Sequence, residues 1–299
     1  MGQEDQSYRI YTAKMEADKA LNSLKGILQG INIDKKVNTA ELQELDKWCE
    51  KHQNLIRKEP FKDFMHTIRM AIRGDENPEE AVQDMFWLCQ KYEDDNVYFD
   101  ALTADLQTLQ GVCHGILADG EINTKEIKQL EIWLDNNQHL SNYYPYDELR
   151  TVLLKILKDG LVDDEEQILL KAYFKEFVKL NNTDLTKKIN EETESVLVKG
   201  LCAYDPDINF DGTHFTLSGN FKRGTKKEVS NRIESLGGKI EKNVVLKTNY
   251  LIIGADANDC WAFACYGRKV EKALNLRKKG QELTIINELD FWDIADDLN

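Results

Sequence analysis

Apolar residues recur along this chain with two different periods. Through roughly the first 180 residues they fall at helical spacing. Leu45 shares a face with Trp48 and Leu130 with Trp133, so both tryptophans are expected in a core. Met85-Phe86-Trp87-Leu88 is an unbroken apolar run and predicts a buried helix. Further on the pattern changes. Phe215-Thr216-Leu217 and Tyr250-Leu251-Ile252-Ile253 are short, β-prone runs bounded by turn residues, and both predict buried strands. Between them Val229, Ile233 and Leu236 mark a helix over Lys226–Leu236, which Gly237-Gly238 ends. Strand, turn, helix and strand in that order predict a parallel βαβ crossover. A second helix, rich in Lys and Arg, is expected across Gly267–Lys279.

The helical part repeats itself. GILQGINIDKKVNTAELQELDKWC from Gly26 aligns with GVCHGILADGEINTKEIKQLEIWL from Gly111 at an offset of 85 residues. Gly30 matches Gly115, Asp34 matches Asp119, Asn38-Thr39 matches Asn123-Thr124, Glu41 matches Glu126 and Trp48 matches Trp133. Two helical units of one plan follow. A related phrase, KDGLVDDEEQILLKAYF, begins at Lys158. The spacing of Gly120 and Glu126 invites a calcium-loop reading, but Gly115 and Leu117 stand where that loop needs carboxylates, and Lys35 stands where its glycine belongs. Helix capping accounts for more. Gly120 ends a helix, Asn123 and Glu126 form a capping box, Asp163 and Glu166 repeat it, and Ile122 with Ile127 and Val37 with Leu42 form hydrophobic staples.

The helix–Asp-Gly–helix pattern resembles the tellurite-resistance protein B (TerB) family of all-helical domains, mainly over residues 104–180 and more weakly over 19–93. That resemblance implies a link to stress response and a suspicion of metal binding, which the missing ligands do not favour.

A second resemblance lies near the C-terminus. Ser218-Gly219 after the first strand, Leu-Gly-Gly-Lys at 236–239, the Lys-Thr-Asn-Tyr-Leu-Ile strand, Lys-x-x-Lys-Ala at 269–273 and Phe291-Trp292 resemble a BRCT domain over residues 208–298. The similarity is to the single BRCT domains of NAD-dependent DNA ligases and the clamp-loader large subunit. It implies a four-stranded parallel sheet flanked by helices. It also implies a phosphate pocket made of the Ser218 hydroxyl, the Gly219 N–H and Lys272, with the Lys247-Thr248-Asn249 turn near the same end of the sheet and Lys226 and Lys247 able to touch DNA. The chemistry is coherent: a glycine lets the backbone approach an anion, a hydroxyl donates to a phosphate oxygen, and an ammonium offsets the charge. A terminal phosphate, with more charge than a diester, suits such a pocket. The implied partner is a DNA 5′-phosphate end or a phosphoprotein.

The resulting organisation is a tail over 1–14, helical repeats over 15–98 and 99–180, a linker over 181–207 with a short helix across Glu191–Val198, and the BRCT domain over 208–299. The fold class is therefore multidomain α and α/β.

Composition adds to this. At 41% hydrophobic content the chain has enough apolar residues for packed cores. The net charge of −14 is uneven. Phe210–Asn299 holds 14 Lys and Arg against 13 Asp and Glu, leaving 25 basic and 40 acidic residues in the remainder, a net of −15. Contact with DNA therefore belongs to the C-terminal domain, and the acidic helical region is expected to hold a protein partner. The six cysteines form no C-x-x-C pair and read as reduced core thiols, Cys260 and Cys265 included. No membrane span and no signal peptide are evident, so the expected location is the cytoplasm. Lys-x-Asp-Gly fails at 157–160, where Leu157 takes the nucleophile's place, and no other catalytic motif, cofactor site or metal spacing stands out. The sequence thus points to a non-catalytic binding or adaptor protein of DNA repair, replication or damage response. A phosphoprotein-binding stress-signalling adaptor and a metal-responsive stress protein led by the helical repeats are the alternatives.

Overall fold

The computed structural model describes residues 3–56, 60–93, 99–196, 201–256 and 267–298. Among the described residues nine α-helices come first: α1 (Gln3–Ile31), α2 (Thr39–Lys51), α3 (Phe61–Arg73), α4 (Pro78–Glu93), α5 (Ala101–Ile116), α6 (Thr124–Asn136), α7 (Tyr146–Ile156), α8 (Asp164–Phe174) and α9 (Thr183–Glu192). Then follow β1 (His214–Ser218), α10 (Lys226–Ser235), β2 (Lys239–Glu241), β3 (Tyr250–Ile253), α11 (Arg268–Arg277), β4 (Thr284–Asn287) and α12 (Glu288–Asp297). Two units arise from this order. One takes Met1–Trp133 and Leu161–Val196, the other Leu134–Gly160 and Leu197–Asn299. Among the described residues no helix is long and apolar enough to cross a membrane.

In the helical unit the repeat becomes a crossing of α1 and α5. Gly26 and Gly30 on α1 meet Gly111 and Gly115 on α5 so closely that a Cβ on Gly26 would stand 2.7 Å from the Gly111 Cα, and one on Gly30 2.7 Å from the Gly115 Cα. Only a residue with no side chain lets two helix backbones approach in this way. Asn22 Nδ2 donates to Gln107 Oε1 at 2.9 Å, again a pair 85 residues apart, so equivalent positions of the two repeats face one another.

The expected caps are present. Asn38 and Glu41 form a capping box at α2, and Asp163 with Glu166 does so at α8. At α6 the Asn123 N–H donates to Glu126 Oε2 and the Glu126 N–H to Asn123 Oδ1. Gly120 has φ 82°, and Lys35, its counterpart 85 residues earlier, has φ 63°. Both repeats use a left-handed residue at this turn, the second with the glycine that adopts it without strain. Glu41 and Glu126 are buried, and burial with the nearby Asp119 and Asp34 raises each carboxyl to about 8. Among the described residues no three or more His, Cys, Asp or Glu side chains are grouped to hold a metal ion.

Several expectations shift. The first residues are not a tail: α1 begins at Gln3, since nothing between there and Ile31 breaks a helix except Gly26 and Gly30, which pack on α5. Helix falls at Thr183–Glu192 within the expected linker, where the Asn182 side chain accepts from the backbone N–H groups of Asp184 and Leu185; residues 197–198 lie outside the described set. Residues 134–160, which the repeat assigns to the second helical unit, group with the C-terminal part. Trp87 is 59% exposed. The buried face of α4 is Ala81, Val82, Met85 and Cys89, and a run of four consecutive apolar residues necessarily turns one of them outward. Trp48 is buried as expected, whereas Trp133 is half-buried. Cys49, Cys89, Cys113 and Cys202 are buried and in no disulfide among the described residues, and Cys260 and Cys265 lie outside them.

In the second unit the four strands are parallel in the order β2-β1-β3-β4. Alternate residues feed two cores. Phe215, Leu217, Tyr250, Ile252 and Ile286 pack with Val229 and Ile233 of α10 and Phe291 and Ala295 of α12. Leu251, Ile253 and Ile285 pack on the other face with Val270 and Ala273 of α11. Burial on both faces is what a parallel sheet built by helical crossovers requires.

Candidate functional site

In a parallel sheet the loops at the carboxyl ends of the strands form the natural ligand site. Here those ends are Ser218, Ile253 and Asn287, which stand in register across β1, β3 and β4. Gly219 follows Ser218 with φ 73°, a left-handed turn that a side chain would strain. Gly254 closes on it from β3: its N–H donates to the Ser218 carbonyl at 2.9 Å, and a Cβ there would lie 1.9 Å from the Asn220 carbonyl oxygen. Glu288, fully buried at the start of α12, accepts from the backbone N–H groups of Lys222 (2.7 Å), Arg223 (2.6 Å) and Ala255 (2.7 Å). One carboxylate therefore ties the loop after β1 to the loop after β3. The Thr225–Glu228 capping box then starts α10.

The structure separates the expected site residues. Ser218 and Gly219 lie together at the carboxyl end of β1, half-buried. Lys272 is exposed on α11. The lysine that reaches β1 is Lys269, whose Nζ donates to the Leu217 carbonyl at 2.8 Å, one residue before Ser218. Burial, with Lys226 and Lys242 nearby, lowers the Lys269 ammonium from the ordinary lysine range. Lys226, the first residue of α10, thus belongs to the same basic neighbourhood. Lys247 does not. It lies before β3, where the Asn249 N–H donates to the His214 carbonyl at the start of β1, so its turn is at the opposite end of the sheet from Ser218. Its Nζ stands 2.6 Å from Glu241 Oε1, which also bonds His214 Nδ1 at 2.9 Å. Thr248 is buried and accepts from the Val245 N–H through Oγ1, so that turn serves the fold.

The signal for Lys269 was present in the sequence. A helix that returns antiparallel over a parallel sheet begins beside the carboxyl ends of the strands, so its first turn is nearest the site. Lys269 is the second residue of α11, and Lys272 is almost a turn further along. A hydroxyl, a glycine N–H and a partly desolvated ammonium thus stand at this end of the sheet, with Lys226 and Lys242 near the ammonium, and groups of these kinds are able to bind an anion.

Residues 205–279 match the BRCA1 C Terminus (BRCT) domain, and this part of the chain is a BRCT domain; β4 and α12 extend the same sheet and core beyond the matched residues. Among curated proteins the chain is similar to the DNA ligase of Thermosipho africanus, 33% identical over 49% of this chain and 18% of the ligase. It is similar also to that of Dehalococcoides mccartyi, 27% identical over 52% of the chain and 21% of the ligase. The DNA ligase of Syntrophomonas wolfei is 36% identical over 28% of the chain and 10% of the ligase. The chain thus spans about a fifth or less of the length of these relatives. No solved structure gives a significant match. The TerB resemblance of the helical repeats rests on their sequence phrases.

Proposed function

We propose that this protein is a non-catalytic binding protein of DNA repair or replication, whose BRCT domain takes a DNA 5′-phosphate end. The observation that carries the reading is the Lys269 ammonium beside the Ser218-Gly219 turn, with Lys226 and Lys242 near it. The similarity to DNA ligases supports DNA over other phosphate carriers. The near-neutral balance of residues 210–299 supports a local contact with one terminal phosphate instead of a surface that tracks the backbone. The acidic helical unit then holds a protein partner, and the adaptor works in the cytoplasm.

The test is fluorescence anisotropy with a recessed duplex end, phosphorylated or dephosphorylated at the 5′ position, against the wild type and the double variant Ser218→Ala, Lys269→Met. The reading expects binding that needs the phosphate and at least a tenfold loss in the variant. Equal binding of both duplexes overturns it, as does a phosphopeptide that outcompetes the phosphorylated end; that second result identifies a phosphoprotein adaptor instead.

A further inference from the structure

The helical unit contains a cleft of about 460 Å³ between α1, α2, α5 and the segment after α8. That size suits a small molecule. Leu55 and Val178, with the Trp48 ring, supply an apolar wall.

Among the described residues, two buried donors in its lining have no acceptor. The Trp48 indole Nε1 and the Asn181 Nδ2 are both enclosed and have no partner among the described residues, and Trp48 as a whole is only 2% exposed. Lys51 Nζ donates to Asn181 Oδ1 at 3.3 Å, which engages the oxygen of that amide and leaves its nitrogen as the unpaired group. Native folds rarely leave buried donors unmet, and two in one wall mark a place where an acceptor comes from outside.

Charge points the same way. Residues 1–209 carry a net of −15, yet this cleft gathers Lys19, Lys51 and Lys179 against Glu16 alone. The buried carboxylate behind it, Glu44, is already engaged. It accepts from His114 Nε2 (2.7 Å) and from the backbone N–H groups of Asn181 (2.5 Å) and Asn182 (2.8 Å). Burial works to raise the Glu44 carboxyl, and these donors outweigh it and hold it below the ordinary value. Glu44 therefore stays anionic but spends its oxygens inward, and the cleft keeps its cationic rim.

We propose that this cleft binds a small organic acid, with a flat apolar body against the Trp48, Leu55 and Val178 wall and its carboxylate toward Lys51, Lys179 and the two unpaired donors. This site is in the helical unit and is independent of the phosphate reading of the BRCT domain. It is tested on the full chain by 1H–15N correlation spectra during titration with 4-phenylbutyrate, 4-phenylbutanol and inorganic phosphate. The Trp48 indole signal is assigned from Trp48→Phe and the Asn181 amide from Asn181→Asp. The acid is expected to shift both signals saturably, and the alcohol and inorganic phosphate to bind at least tenfold more weakly. Lys51→Met with Lys179→Met, both exposed positions, is expected to weaken the acid about tenfold while leaving the rest of the spectrum in place. Absence of a saturable shift with the acid, equal binding of acid and alcohol, equal binding of acid and inorganic phosphate, or an unaffected lysine variant each overturns the proposal.

Discussion

Arg277 Nε donates to Glu148 Oε1 at 2.6 Å, joining residues 129 apart in the chain. Arg277 is 2% exposed. It also donates to Glu148 Oε2 (2.9 Å), to Asp147 Oδ2 (3.0 Å) and to the carbonyls of Asn142 and Leu283. Burial raises the Asp147 carboxyl to about 6, against the opposing pull of Arg277. The cluster fastens α7 to α11 through the end of α11 that is remote from Ser218, and Thr151 Oγ1 adds a bond to the Cys202 carbonyl at 2.7 Å.

Arg277→Met strands two buried carboxylates and is expected to destabilise the C-terminal unit by about 3–5 kcal/mol. Replacing Arg277, Asp147 and Glu148 together with apolar residues of similar volume is expected to recover much of that loss, because the uncompensated charge disappears with its partner. Urea unfolding of the two variants beside the wild type reads both effects. For the same reason a fragment starting at residue 208 is expected to be markedly less stable than the full chain's C-terminal unit.

Lys269→Met is expected to weaken binding of a 5′-phosphorylated duplex end about tenfold, and Lys272→Met less than threefold, since one strong charge-assisted bond is worth about 1.5–3 kcal/mol and a solvated lysine far less. Anisotropy titrations of the two single variants at equal salt separate them. A larger loss at Lys272 would return the site to the residue that the sequence alignment favours.

Glu41 and Glu126 give the helical unit a pH dependence of definite sign. Each has a folded value of about 8 against an ordinary 4.5. The folded state therefore holds these protons more tightly than the unfolded chain. Their favourable contribution is complete below about pH 4.5 and is lost as pH rises through about 8. Glu41→Gln with Glu126→Gln keeps both capping boxes and removes the titration. Thermal melts at pH 5 and pH 8 are expected to show a fall smaller by several kcal/mol for this variant, since each carboxyl contributes about 1.4 kcal/mol per pH unit across the window.

Gly30→Ala and Gly111→Ala offer a test in which two effects have opposite signs. In an isolated helix either change gains about 0.5–1 kcal/mol. At the α1–α5 crossing the new Cβ would lie 2.3 Å from the Val112 carbonyl oxygen or 2.4 Å from that of Ser23, and backbone cannot step aside as a side chain tip can. A net loss of about 1–3 kcal/mol is expected, read as a lower Tm.

Strands β1 and β3 were legible because short, β-prone apolar runs stand there between turn residues; the four-stranded sheet came from the BRCT resemblance, since Lys239-Ile240-Glu241 in β2 carries no such run. The repeat was legible because the same caps and glycines recur at one offset; that those glycines press two backbones together is a fact about pairs of helices, which a periodicity along one helix does not contain. Trp87 misleads for a related reason. It sits in a phrase whose composition is right, and a rotation of about 100° per residue decides which member faces inward. The place of α7 was illegible, since Asp147 and Glu148 read as ordinary charges of a helix start and only Arg277, far along the chain, makes them interior.

The distance along the chain between Glu148 and Arg277 has a consequence for how the protein is made. Glu148 leaves the ribosome 129 residues ahead of the guanidinium it will share a dry interior with. Until Arg277 emerges, Asp147 and Glu148 have no guanidinium to share, and burying two unpaired carboxylates is costly. Seating α7 with these carboxylates inside is therefore favourable only once the C-terminal end of α11 has been made.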